Sequence, residues 1–195
     1  MNKAKIEKAT TREQWLVNFI NAANAEIFEN TMPDKWRVTC GFPSRGGTSK
    51  KRIVGQCFAP FCSDDQTTEL IVTILDADDY EVADTIVHEM IHAIVGVQEG
   101  HKGEFRKLAK KIGMVGKMPE CCAGEELGLV IRTIIKTLGK YPHEKLNVKK
   151  QLKTQSTRSI KCMCETCDFT VRTTQKWLDE VGLPHCPNHG EMEEK

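Results

Sequence analysis

The sequence has almost no net charge, with 28 Lys and Arg against 27 Asp and Glu over 195 residues. A protein-wide field of one sign is thereby excluded, so attraction to nucleic acid must come from local clustering. Long hydrophobic runs are also missing. None approaches the roughly 18 apolar residues a membrane crossing needs, and no membrane partner is expected. The N-terminal stretch Met1-Asn2-Lys3-Ala4-Lys5-Ile6-Glu7-Lys8 has no apolar region behind its charges, unlike a secretory signal. Nine cysteines are an odd number, which argues against a closed disulfide framework. Four of them sit near the C-terminus among histidines at metal spacing, and the expected compartment is the reducing cytoplasm. The segment Ser44-Arg45-Gly46-Gly47-Thr48-Ser49-Lys50-Lys51-Arg52 lacks the Gly-Lys-Ser/Thr of a phosphate loop. A basic hairpin tip is expected there and no nucleotide site.

What the sequence does contain is organised around His88-Glu89-Met90-Ile91-His92. Two histidines four apart on a helix project from one face, so their imidazoles can grip a single ion. Glu89 sits roughly 100° round the helix from His88, where a carboxylate reaches a water beside the ion. Ile86, Val87, Met90, Ile91, Ile94 and Val95 are apolar, so the helix should be buried except along its histidine stripe. Asp78 and Asp79 supply helix-start chemistry, and Gly96 is the expected stop.

A catalytic zinc takes three protein ligands and keeps one position open. Gly96, Gly100 and Gly103 let the chain double back, which makes His101 the best third ligand. A solvated loop histidine is the plain alternative. Glu99 and Glu104 are the nearest carboxylate competitors, and Glu125 or Glu126 would fit a distal-glutamate arrangement. The HExxHxxGxxH spacing is absent, because His101 lies nine residues beyond His92.

Around this centre the chain reads as α+β. Residues from about Thr11 to Asn30 form a helix with Trp15, Phe19 and Ile27 at helical spacing. Three strand-like runs follow at 36–42, 52–58 and 69–74, and turn-rich connections predict an antiparallel meander. Further helices are expected over 104–112 and 125–138. Cys40, Cys57, Cys62, Cys121 and Cys122 are expected to be free thiols. Tyr141 and His143 read as a packed tyrosine and a surface histidine, with an oxyanion role the alternative.

The last segment carries Cys164-x-x-Cys167 and Cys186-x-x-His189, two half-sites suited to a tetrahedral Cys₃His zinc. So short a segment has no core without the metal, so folding and binding should be coupled. The predicted domains are 1–145, a basic linker 146–160 and the zinc module 161–191. From Lys140 to Lys176 there are nine Lys or Arg against three Asp or Glu. Lys149, Lys150, Lys153, Arg158, Arg172 and Lys176 are the candidate nucleic-acid contacts.

The motif His88-Glu89-Met90-Ile91-His92, then Gly96, Gly100-His101-Lys102-Gly103-Glu104-Phe105 and Lys110-Lys111-Ile112-Gly113, resembles the SprT-like metalloprotease family. That family includes the Spartan proteases, which cut proteins crosslinked to DNA. The resemblance covers about Lys35 to Phe105 and the last thirty residues. It implies a zincin-like domain whose edge strand pairs with an extended substrate. It also implies a C-terminal zinc ribbon, with Cys162 and His185 outside its ligand set.

The expected function is a zinc metalloendopeptidase, with one catalytic zinc held by His88, His92 and His101 and one structural zinc. Glu89 is the expected general base. The expected partners are a protein substrate and DNA, in DNA–protein crosslink repair, and a monomer is expected. One alternative is a nucleic-acid-binding adaptor with a non-proteolytic HExxH site. A hydrolase of small amides, with a narrow enclosed pocket, is another.

Overall fold

The structure, a computed structural model, describes residues 9–45, 52–150 and 159–195. It divides into two compact units, Met1–Val148 and Lys149–Lys195. The predicted contacts Lys153 and Arg158 lie outside the described residues, as do the side chain of Lys149 and most of the 44–52 connection.

In the first unit the opening helix α1, Arg12–Glu26, is N-capped by Thr11, whose hydroxyl accepts from the Gln14 N–H at 3.2 Å. It ends before the expected Asn30 because Glu29 and Asn30 adopt positive φ, closing the chain into a turn. Trp15, Leu16, Phe19, Ile20 and Ala23 are fully buried. The Trp15 ring stacks on Phe19, meets Tyr141 edge-on, and its Nε1–H donates to the Gly139 carbonyl at 2.8 Å.

Strands β1 (Trp36–Gly41), β2 (Gly55–Phe58) and β3 (Thr68–Thr73) form one sheet in the order β1-β3-β2. The expected antiparallel meander is corrected here. β1 runs parallel to β3, and only β2 is antiparallel to it. β3 buries Thr68, Leu70, Val72 and Thr73, so it takes the central place with partners on both sides. β2 is only half-buried along its length and takes an edge. Alternating apolar residues reveal a strand but carry no information on which strand becomes its neighbour.

Helix α2, Asp79–Val95, packs on β2 and β3 and touches α1 and two later helices, α3 (Gly103–Lys111) and α4 (Glu125–Leu138). The Asp78 carboxylate accepts from the N–H groups of Tyr80 and Glu81, both at 3.0 Å, a cap worth about 0.5–2 kcal/mol. Val82, Ala83, Ile86, Val87, Met90 and Ile91 fill the core between sheet and helices. Between α3 and α4 a small hairpin pairs β4 (Met114–Val115) with β5 (Cys122–Ala123).

The second unit contains a sheet of β6 (Ile160–Met163), β7 (Thr170–Thr173) and β10 (Glu193–Glu194), ordered β10-β6-β7. A short helix α5, Gln175–Val181, and a hairpin of β8 (His185–Cys186) with β9 (Gly190–Glu191) complete it. No helix among the described residues is long and apolar enough to cross a membrane.

Candidate functional site

His88 and His92 stand one turn apart on α2, and the chain must return to bring a third imidazole to them. Gly96 ends the helix at φ 92°, and Gly100 adopts φ 55° with ψ −130°, a region closed to side-chain-bearing residues. The reversal places His101 Nε2 at 3.0 Å from His88 Nε2 and 3.2 Å from His92 Nε2. Phe105, fully buried on α3, packs against all three rings with centroids 4.4–5.1 Å away.

Three ring nitrogens this close cannot all be satisfied by one another. A tetrahedral zinc with bonds of about 2.0–2.1 Å sets its nitrogen ligands about 3.3 Å apart, and the observed separations match. Burial, then the neighbouring imidazoles, push His88 and His92 down to about 4, and burial lowers His101. All three rings are therefore neutral near pH 7, the form that ligates a metal. The donor set fits zinc. Glu99, Glu104, Glu125 and Glu126 do not belong to this group. Glu99 instead accepts from the Glu104 N–H at 3.3 Å, and Glu104 pairs with Lys107.

Glu89 is only 7 % exposed, and burial pushes its carboxyl up to about 8 against a hydrogen bond from the Cys57 backbone. That hydrogen bond depends on close approach of β2 to α2. A Cβ on Gly55 would stand 2.7 Å from Glu89 Oε1, 2.8 Å from Glu89 Cγ and 2.6 Å from Thr85 Cγ2. Gly55→Ala must therefore move the carboxylate. With Glu89 as the general base expected from the sequence, a shift of this kind costs about 10–100-fold in turnover. The expected variant keeps its metal and loses that much kcat; an unchanged kcat would show that Glu89 has room to spare.

Two residues beside His88 carry no signal in the sequence. The Cys121 Sγ lies 3.4 Å from His88 Nδ1, and the Cys121 backbone hydrogen-bonds the same ring. Asp84, one turn before His88, accepts from the Ala123 N–H at 2.8 Å. Cys121 is a free thiol, as are the other eight cysteines. Tyr141 is buried against Trp15 with its hydroxyl 3.1 Å from Cys40 Sγ, and His143 Nε2 is 3.1 Å from the Thr10 carbonyl. Neither belongs to the histidine cluster.

In the second unit Cys164, Cys167, Cys186 and His189 converge, with ligand atoms all within 4.8 Å of one another. Cys167 Sγ to Cys186 Sγ is 3.7 Å, and His189 Nδ1 is 3.6 Å from both Cys164 Sγ and Cys186 Sγ. Tetrahedral zinc with bonds of about 2.3 Å to sulfur sets sulfurs about 3.8 Å apart. The fit is again that of zinc. Cys162 and His185 stay out of the group: Cys162 is buried on β6 and His185 is exposed on β8.

The remaining predicted contacts are dispersed. Lys150 is exposed, Arg172 reaches Ser159 Oγ at 3.3 Å, and Lys176 lies 3.8 Å from Glu180 and 4.9 Å from the Trp177 ring centre.

A family model described as the SprT-like family matches residues 16–124. The match spans the sheet, α2, the His101 loop and the β4–β5 hairpin, and the Cys₃His group lies beyond it. Neither the curated proteins nor the solved structures gave a match.

Proposed function

The chain belongs to the SprT-like family, and on that footing we propose that it is a zinc-dependent metalloendopeptidase with a zincin-like catalytic domain and a C-terminal zinc ribbon. The observation that carries this reading is the convergence of three neutral imidazoles, His101 Nε2 standing 3.0 and 3.2 Å from those of His88 and His92, with the buried Glu89 next to His88 on the same helix. A purely structural site would close its fourth position with a protein ligand and has no use for a base.

His88, His92 and His101 would hold the zinc, which when bound would supply Lewis acidity toward a water and the scissile carbonyl. Glu89 takes the proton from the attacking water as the new C–O bond forms. It then delivers that proton to the amine nitrogen as the C–N bond breaks. Gly55 and the Cys57 N–H hold the carboxylate for both transfers. The edge strand β2 lies against α2 and offers its outer side to an extended peptide by strand addition.

The substrate class we propose is DNA-associated protein, including protein crosslinked to DNA. Its support is the local excess of basic residues between Lys140 and Lys176 in a chain whose overall net charge is only +1. Lys149, Lys150, Lys153, Arg158, Arg172 and Lys176 are the proposed phosphate contacts. Cysteines without a disulfide among them are consistent with work in the cytoplasm.

The test joins metal analysis to proteolysis of a DNA-binding protein, with and without DNA. The parent should carry two zinc ions and cleave; His101→Ala should carry one and fail to cleave. DNA affinity should fall steeply with salt through phosphate contact. Two zinc ions without cleavage would favour the non-proteolytic adaptor. Cleavage with no salt-dependent DNA binding would remove the nucleic-acid part alone.

A further inference from the structure

Asp84 is a half-buried carboxylate whose oxygen accepts the Ala123 N–H. A buried acid is a costly way to hold a hairpin, so its position calls for a reason. The hairpin it holds is the one that carries Cys121, two residues before Ala123. Cys121 meets His88 on the side opposite the converging nitrogens, with Sγ 3.4 Å from Nδ1 and its backbone hydrogen-bonded to the ring. The Gly124 N–H to Gly113 carbonyl bond at 2.9 Å and the Cys121 Sγ to Met114 Sδ contact at 3.7 Å close the hairpin around that point. His92, by contrast, has its Nδ1 buried with no hydrogen-bond partner among the described residues.

We propose that Asp84 is a positioning residue for His88: by clamping β5 through Ala123, it holds Cys121 against the His88 ring, Sγ 3.4 Å from Nδ1, as acceptor for the Nδ1–H, which leaves Nε2 free for the ion. This inference rests on the metal-site reading of the three histidines. The chemistry follows from the two ring nitrogens. A metal-binding imidazole must present a lone pair on one and carry its proton on the other, and the partner of the second nitrogen fixes the tautomer. His88 is thereby set before any ion arrives, whereas no described residue sets His92 from its Nδ1 side.

The first test needs no variant. Nitrogen-15 NMR of the metal-free full chain should show His88 as the Nδ1–H tautomer; a predominantly Nε2–H His88 overturns the proposal. The second test measures zinc affinity of the histidine site by chelator competition, with the Cys₃His zinc as internal reference. Asp84→Ala should weaken the histidine site by about 10–100-fold, the usual cost of losing such a partner. Asp84→Asn keeps an acceptor oxygen for the Ala123 N–H and should recover most of that affinity. An Asp84→Ala variant with parental affinity, or an Asp84→Asn variant as weak as Asp84→Ala, overturns the proposal. His88→Ala separates the two layers of the argument. If it still binds zinc at this site as tightly as the parent, the metal-site reading itself falls.

Discussion

Glu89→Gln is expected to hold zinc at both sites and lose peptide hydrolysis by about 10²–10⁴-fold, the contribution of a general base. Glutamine has the same shape and retains an oxygen to accept from Cys57, so the strand–helix contact that places it survives. What disappears is basicity. The pH profile should change in a way that packing alone cannot mimic. Only the ionised carboxylate accepts a proton, so the parental rate falls as pH drops through the Glu89 pKa, and the variant has no such limb. Burial sets that pKa near 8 in the metal-free protein, and a divalent cation beside the carboxylate draws it lower. Stability carries the same signature with a definite sign. A carboxyl raised from 4.5 to about 8 on folding holds its proton longer in the native state than in the unfolded one. The metal-free parent therefore loses stability as pH rises from about 4.5 to 8. Glu89→Gln should gain thermal stability over the parent at pH 8 and little at pH 4. Parental turnover in a zinc-loaded Glu89→Gln protein would remove Glu89 from the mechanism.

The reach of the sequence here follows from the range of the interactions involved. α2 and its caps were legible because they depend on neighbours in the chain: Asp78 on the next turn, Gly96 at its end, apolar residues three and four apart. His101 was legible for the same reason, since the glycines that turn the chain lie within a few residues of it. The sheet order was not legible, because β1 and β2 compete for β3 across a loop and local pattern does not rank them. Gly55 carries no signal of its own in the sequence, and only the approach of α2 shows why a side chain is barred there. Asp84, Cys121 and Ala123 form a chain of contacts spanning nearly forty residues, through a hairpin too short to leave a periodic signature. In the second unit, knuckle spacing announced the four residues that converge, while α5 between them was hidden by its brevity.

The second large effect is expected on metal removal, and it falls on one unit only. The first unit has a large apolar core running from Trp15 to Tyr141, so chelation should leave it folded. Among its described residues the second has four buried ones, Cys162, Cys164, Cys186 and Met192, and two of those are proposed zinc ligands. Ile160, Val171, Leu178 and Leu183 are only partly covered. A module of this size with strands of two to four residues lacks the buried surface to stand alone. Structural zinc contributes about 10–16 kcal/mol in comparable peptides, which exceeds any other single interaction available here. Stripping zinc from the full chain should collapse the amide dispersion of residues 160–194 and open them to proteolysis, while core resonances of 12–138 persist. Cys186→Ser should reproduce this without lowering zinc affinity at the histidine site. Retention of native dispersion and protease resistance in 160–194 after complete zinc removal would mean that those short strands hold together by packing, and that Cys164, Cys167, Cys186 and His189 do not form a folding site.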